Sequence, residues 1–314
     1  MTEKMSYDIS LVLATVFLIM SSASCGHTAG TSAMILDENL AVVNTVSGPY
    51  SIAVTSMPEE SVFAVLSARG LVQVVRRDVA SVEQRWRIPS REKFDSFSID
   101  GRFTVTTSGD EVIWRSTTDG DIAGQIGLAQ PHSASIGFKT GVVLSSGQVW
   151  TFQLDASEPA TARVRTAGAL VGISGDEQVV SVGEPEVIPF KRYGLYSMAG
   201  PQLASFSDVR AAAWIDDVTF AVLGSQRYCE WSRSEGTVCL WDKELEYDRI
   251  SADVKPESVL LWSRFSRVLK RYSRSDGHEL EGSMVSRHLN ISSITQVGGQ
   301  IVMSVDQSVT WRDP

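Results

Sequence analysis

Four histidines, three cysteines and a scatter of neighbouring carboxylates are the side chains of this sequence whose types could do chemistry. His27, His132, His278 and His288 lie far apart, without the i, i+4 spacing or Cys-x-x-Cys company that builds a zinc site, and read as surface or turn residues. Asp119-Gly120-Asp121 and Asp216-Asp217 resemble pairs for calcium or acid–base work. Both fall where hairpin turns are expected, and Asp favours such turns by bonding its own backbone. No Gly-x-Ser-x-Gly elbow, phosphate loop or dinucleotide-binding glycine turn is present, so hydrolase, nucleotidase and dehydrogenase readings lose their usual support. No catalytic residue, metal or cofactor is expected from these patterns.

The most concentrated recognition chemistry lies between Gly224 and Gly236, read here as an insertion that carries Arg227, Tyr228, Trp231 and Arg233. Cys229 and Cys239 are expected to form a disulfide that holds its base and would remove about 3 kcal/mol of unfolded-chain entropy. Aromatic and Arg side chains on a stapled loop bury much area for little lost entropy, so these four residues are the expected ligand-binding set. The alternative is that Tyr228 and Trp231 only cover the disulfide. A second basic and aromatic stretch comprises Trp262, Arg264, Phe265, Arg267, Lys270, Arg271, Tyr272 and Arg274. It is read as the outward face of strands. Acidic residues outnumber basic ones, 37 to 28, for a formal charge of −9, so no nucleic-acid partner is expected. Asn290-Ile291-Ser292 matches a glycosylation acceptor, a pattern short enough to arise by chance.

The compartment is read from the N-terminus. Residues 9–20, ISLVLATVFLIM, form an uncharged apolar run with the length of a signal-peptide core, short of the ~20 residues of a membrane span. Small residues then lead into Cys25, and Ser22-Ala23-Ser24-Cys25 resembles the bacterial lipobox cleaved by signal peptidase II. That resemblance implies a lipidated Cys25 at the start of the mature chain, membrane attachment, and a place in the cell envelope facing the periplasm or exterior. The alternatives are secretion after cleavage near Ala23, or an uncleaved anchor. An oxidising compartment is the setting in which the Cys229–Cys239 pairing is expected.

The elements that must position these residues follow a repeat. Beyond Ser32 the chain alternates short apolar runs with Gly and Asp turns, and no long stretch has helical periodicity. The clearest unit, Phe94 to Ile126, reads as four antiparallel strands at 94–99, 103–107, 111–116 and 121–126. Its Ser98-Ile99-Asp100-Gly101-Arg102 turn, Gly109-Asp110 turn and Trp114 look like a blade of a WD-repeat β-propeller. Trp241 in Gly236–Asp242 and Trp311 in Ser308–Asp313 read as third-strand counterparts of Trp114. No Gly-His precedes Phe94, so the hydrogen-bond tetrad of that family is incomplete, and a quinoprotein-like propeller is the alternative.

First strands near Tyr50, Phe94, His132, Ala169, Val209, Ser251 and Ile291 recur at roughly forty-residue intervals, the length of a propeller repeat. The expected architecture is an all-β, seven-bladed propeller over residues 33–314, with six or eight blades as alternatives. Residues 1–24 serve as signal peptide and 25–32 as tether. The last unit supplies Ile291–Val297, Ile301–Val305 and Ser308–Trp311, and Ala33–Val46 is expected to complete that blade and close the ring. The functional expectation is a non-enzymatic binding or scaffold module for a protein, glycan or envelope partner. An exported propeller enzyme, either a metal-dependent lactonase or a quinone-dependent dehydrogenase, is the alternative.

Overall fold

The computed structural model describes residues 30–155, 161–184, 191–263, 268–285 and 289–307, and every regular element among them is a β-strand. The described chain starts with β1 (Thr31–Leu36) and β2 (Val42–Ser47). Three four-stranded meanders follow. The first holds β3 (Ser51–Ser56), β4 (Val62–Ser67), β5 (Leu71–Arg76) and β6 (Ser81–Arg87). The second holds β7 (Lys93–Phe97), β8 (Phe103–Ser108), β9 (Glu111–Ser116) and β10 (Ile122–Gly127). The third holds β11 (Pro131–Ile136), β12 (Thr140–Ser145), β13 (Gln148–Gln153) and β14 (Thr161–Arg165).

A seven-stranded sheet comes next, built from β15 (Leu170–Ile173), β16 (Val179–Glu184), β17 (Lys191–Ser197), β18 (Gln202–Trp214), β19 (Phe220–Gly224), β20 (Arg227–Ser232) and β21 (Gly236–Asp242). Its centre is β18, whose first half pairs with β17 and whose second half pairs with β19, with Val209 opposite both Lys191 and Gly224. One continuous strand therefore ends one group of four and begins the next. After β22 (Arg249–Ala252), β23 (Ser258–Trp262), β24 (Val268–Ser273) and β25 (Glu279–Val285), the described chain ends on β26 (Leu289–Val297) and β27 (Gln300–Gln307). These last two pair with the beginning of the chain in the order β2-β1-β27-β26.

That final sheet differs from expectation in its composition. The N-terminal segment supplies two strands rather than one, and β1 pairs directly with β27, in the place expected for Ser308–Trp311. Ser308–Trp311 itself lies outside the described residues. The physical reason is that β1 is apolar on both faces. Ala33 and Ile35 join Val54, Phe63 and Val75 of the β3–β6 sheet, while Leu36 joins Leu260, Trp262 and Leu269 of the β22–β25 sheet.

The same two-sided burial explains the strand sequences elsewhere. The second strands β4, β12, β19 and β23 are buried at every position, and each contains an apolar run of at least three residues, such as Val62-Phe63-Ala64-Val65-Leu66. The fourth strand β6 is exposed except at the half-buried Val82 and Trp86, as an edge that faces water allows. Each described core cluster draws on two neighbouring four-stranded groups, with the halves of the seven-stranded sheet meeting through Phe206, Phe220 and Trp231. Burying a side chain the size of Phe63 or Phe220 contributes about 2–3 kcal/mol.

A repeated turn locks these groups side by side. Ser116-Thr117-Thr118-Asp119-Gly120-Asp121 and Ser273-Arg274-Ser275-Asp276-Gly277-His278 share one pattern, in which the Gly amide donates to the Ser carbonyl and the Asp carboxylate accepts the following amide. Trp86 on the preceding outer strand donates to the carbonyl of Thr117 over 2.8 Å, and Trp241 donates to that of Arg274 over 3.1 Å. Each indole lies on the turn glycine. A β-carbon at Gly120 would sit 2.6 Å from Trp86, and one at Gly277 would sit 2.5 Å from Trp241, with φ values of 82° and 67° that also favour glycine. Trp241 thus belongs to a fourth strand, not to the third strand that its Trp-Asp pair led us to expect.

Candidate functional site

The Cys229–Cys239 disulfide is present and joins β20 to β21 at directly paired positions. The segment around it is not the expected loop. Arg227–Ser232 is the third strand of its group, and because another group packs against each of its faces, its large side chains are interior. Tyr228 is 0% exposed and Trp231 is 4% exposed. Tyr228 stacks on Trp241 with ring centres 4.8 Å apart and faces β22–β25, while Trp231 points the other way and meets Trp214 edge-on at 6.5 Å. Arg227 and Arg233 are exposed, the latter in the turn between β20 and β21. The four residues expected to form one recognition surface are therefore split between core and solvent.

What β20 does carry is a half-buried polar relay. The Tyr228 hydroxyl donates to Glu230 Oε1 over 2.5 Å, and Arg274 from β24's following turn donates to both oxygens of Glu230 at 2.7 Å. Burial, and next the Glu230 carboxylate, hold the Tyr228 phenol far above its ordinary range. The guanidinium of Arg274 is raised as well, first through its hydrogen bonds to Glu230. Sequence reasoning missed this pairing because Glu230 and Arg274 are 44 residues apart. The available signal was the serine-led Asp-Gly turn that places Arg274 beside the preceding outer strand.

The basic stretch is also corrected. Arg271 is 1% exposed rather than outward-facing, and binds Asp253 through Nε and Nη2 while its Nη1 donates to the carbonyl of Glu38 over 2.7 Å. Lys270 pairs with Glu279 at 2.9 Å, Trp262 and Tyr272 are core residues, and Arg264, Phe265 and Arg267 lie outside the described residues. A second buried pair joins Glu92 to Arg115 at 2.6 Å. Burial alone would raise the Glu92 carboxyl, but bonds from Arg115 and Thr106 overcome it and leave the group below its ordinary value.

The remaining chemistry-bearing residues sit in turns. Asp119 Oδ1 accepts the amide of Asp121, and Asp216 Oδ1 accepts those of Val218 and Thr219. His132 and His278 are exposed, while His27, His288 and Cys25 lie outside the described residues. No group of three or more His, Cys, Asp or Glu is placed to hold a metal among the described residues.

The turns between first and second strands reach across to their neighbours. Glu177 Oε1 accepts the amides of Lys139 and Thr140, Arg102 donates to the carbonyl of Phe138, and the Asp176 amide donates to the carbonyl of Asp217. The result is a polar surface assembled from several sheets at one end of the strands. Compared with solved structures, this arrangement of sheets matches the Cps50 (Swd1) β-propeller domain of Myceliophteria thermophila with a TM-score of 0.63 at 12% identity, over 85% of this chain and 99% of that one.

The fold is a β-propeller. Hydrazine synthase of Kuenenia stuttgartiensis matches at a TM-score of 0.61 and 13% identity, over 83% and 96% of the two chains. A chain of a mitotic checkpoint complex matches at 0.61 and 12%, over 82% and 95%. No protein-family profile matches the chain, and no curated protein matches it in sequence. Likeness at this level of identity reports the propeller's shape and not a shared activity.

Proposed function

We propose that the chain is an exported propeller of seven four-stranded blades, tethered to a membrane through a lipidated Cys25, that acts as a non-enzymatic scaffold for a protein partner in the cell envelope. In this reading β18 serves two blades, and β1 and β2 complete the blade begun by β26 and β27. Support for the blade count comes from the core clusters, each lying between two successive groups, with Leu36 and Leu40 meeting the last full group and Ile35 and Val46 meeting the first.

The observation that carries the binding role is the interlocked polar rim of Arg102, Asp176 and Glu177. Propeller cores use their apolar side chains in packing between blades, which leaves such rims as the chemically variable surface. Export rests on residues 9–25 and agrees with a disulfide between Cys229 and Cys239. The test has two parts. Radiolabelled palmitate should enter the wild type and not Cys25→Ala, and crosslinking in native envelopes should capture a protein. An unlabelled wild type removes the tether, and crosslinking that yields no protein partner removes the scaffold role.

A further inference from the structure

Where β18 passes from one blade to the next, the pairing register shifts and a cavity of about 150 Å³ opens beside the disulfide. The pivot is Val209, paired on both sides, and Asp208 before it takes a left-handed backbone with φ 61°. It is lined by the apolar residues Phe206 and Val222, the Cys229–Cys239 pair and Gly224, and by the polar residues Ser205, Ser207, Arg227 and Thr237. No lining residue carries a carboxylate.

Arg227 is the cation of this cavity, and among the described residues its guanidinium has neither an ion pair nor a hydrogen bond, although Asp242 stands opposite it in the strand register. Asp208, beside the pivot, accepts the Ser225 hydroxyl on Oδ2 while its Oδ1 is buried without a hydrogen-bond partner, and it is not among the lining residues. The site thus combines apolar residues, hydroxyl-bearing residues and an unspent planar cation able to bind a carboxylate through two parallel bonds. Its volume equals roughly five water volumes, room for a carboxylate and a short carbon stem.

From this we infer that the cavity is a binding site for an aliphatic carboxylate, with Arg227 holding the anion, Thr237 and Ser207 donating to it, and Phe206, Val222 and the disulfide packing on the stem. The inference does not depend on the lipid tether or on the polar rim. The acid's source is either a free dicarboxylate or a glutamate side chain of a partner, and the two can be told apart.

The experiment titrates the full chain with sodium glutarate and, separately, with glutamate blocked at both backbone ends, following the amide resonances of Ser207, Gly224 and Thr237. Sodium chloride at matched ionic strength is the control. Saturable shifts confined to these amides are expected with the carboxylates and not with chloride. Arg227→Gln should weaken binding at least tenfold, Arg227→Lys should weaken it less because the planar fork is lost while the charge remains, and Thr237→Val should weaken it a few-fold. Arg227 is exposed, so its variants should melt like the wild type, which separates lost binding from lost folding. Tighter binding of the blocked glutamate would assign a protein side chain, and tighter binding of glutarate a free dicarboxylate; either supports the site. Shifts that never saturate, shifts reproduced by chloride, or wild-type affinity in Arg227→Gln would overturn it.

Discussion

Replacing Arg271 by Met should unfasten the N-terminal turn from the β22–β25 blade. In the wild type, Arg271 and Asp253 have side chains 1% and 0% exposed, and the guanidinium uses Nε and Nη2 on Asp253 and Nη1 on the carbonyl of Glu38. Met fills similar volume, so the main change is electrostatic: Asp253 keeps only the Ser258 hydroxyl, and a buried carboxylate is left without its cation. Breaking one side of such a pair costs about 3–5 kcal/mol, and the charged bond to Glu38 lies within that range. For a chain of this size each kcal/mol lowers the melting temperature by about 2 °C, so Arg271→Met should melt roughly 6–10 °C below the wild type. Thermal and urea unfolding of the purified full chain measure the loss. The double variant Arg271→Met with Asp253→Asn removes the stranded charge and should recover most of the stability. If the single variant loses less than about 1 kcal/mol, or if the two losses simply add, the pair does not hold the first strands to the last complete blade.

Two further outcomes follow from the same buried groups. Because the Glu92 carboxyl is held below its ordinary value of 4.5 in the folded chain, its contribution is fully present above that pH and is lost as pH falls through the folded value; Glu92→Gln should therefore lower stability at pH 7 and flatten its fall below about pH 4.5 in urea unfolding across that range. Gly277→Ala should cost about 1–3 kcal/mol, since its β-carbon would meet Trp241 at 2.5 Å in a backbone with φ 67°, whereas Gly236→Ala, with nothing within 4 Å of its β-carbon, bears only the backbone cost of its own φ of 73°; equal urea midpoints for the two variants would discard the indole lock.

Much of the fold was legible because two-sided burial leaves a plain signature. The Phe94–Ile126 unit has its strands within a residue or two of the structure, since Asp100-Gly101 and Asp119-Gly120 mark turns that only a few residue types can make. Ser98 and Ser174 show how local chemistry fixes such a turn. Each Ser hydroxyl donates to an Asp two residues on and accepts the amide that starts the second strand, so the pattern survives where Gly101 is replaced by Glu177 in a left-handed backbone.

The errors cluster where those local rules are silent. The forty-residue spacing places the boundary inside β18 at Val209, where the structure has it, but Gly224 to Gly236 reads as an insertion, so the third strand β20 is skipped and β21 takes its place. That slip turned β20 into a loop and made Tyr228 and Trp231 look like recognition residues, although an aromatic on a strand enclosed by two blades is core by position. The polar pairs were hidden for a different reason. Arg271 meets Glu38 across a sequence separation of 233, and Glu230 meets Arg274 across a blade boundary, so neither contact has a periodic trace in one sequence. The cavity at Arg227 lies where β18 passes from one group of strands to the next, with Asp208 in a left-handed backbone beside the doubly paired Val209.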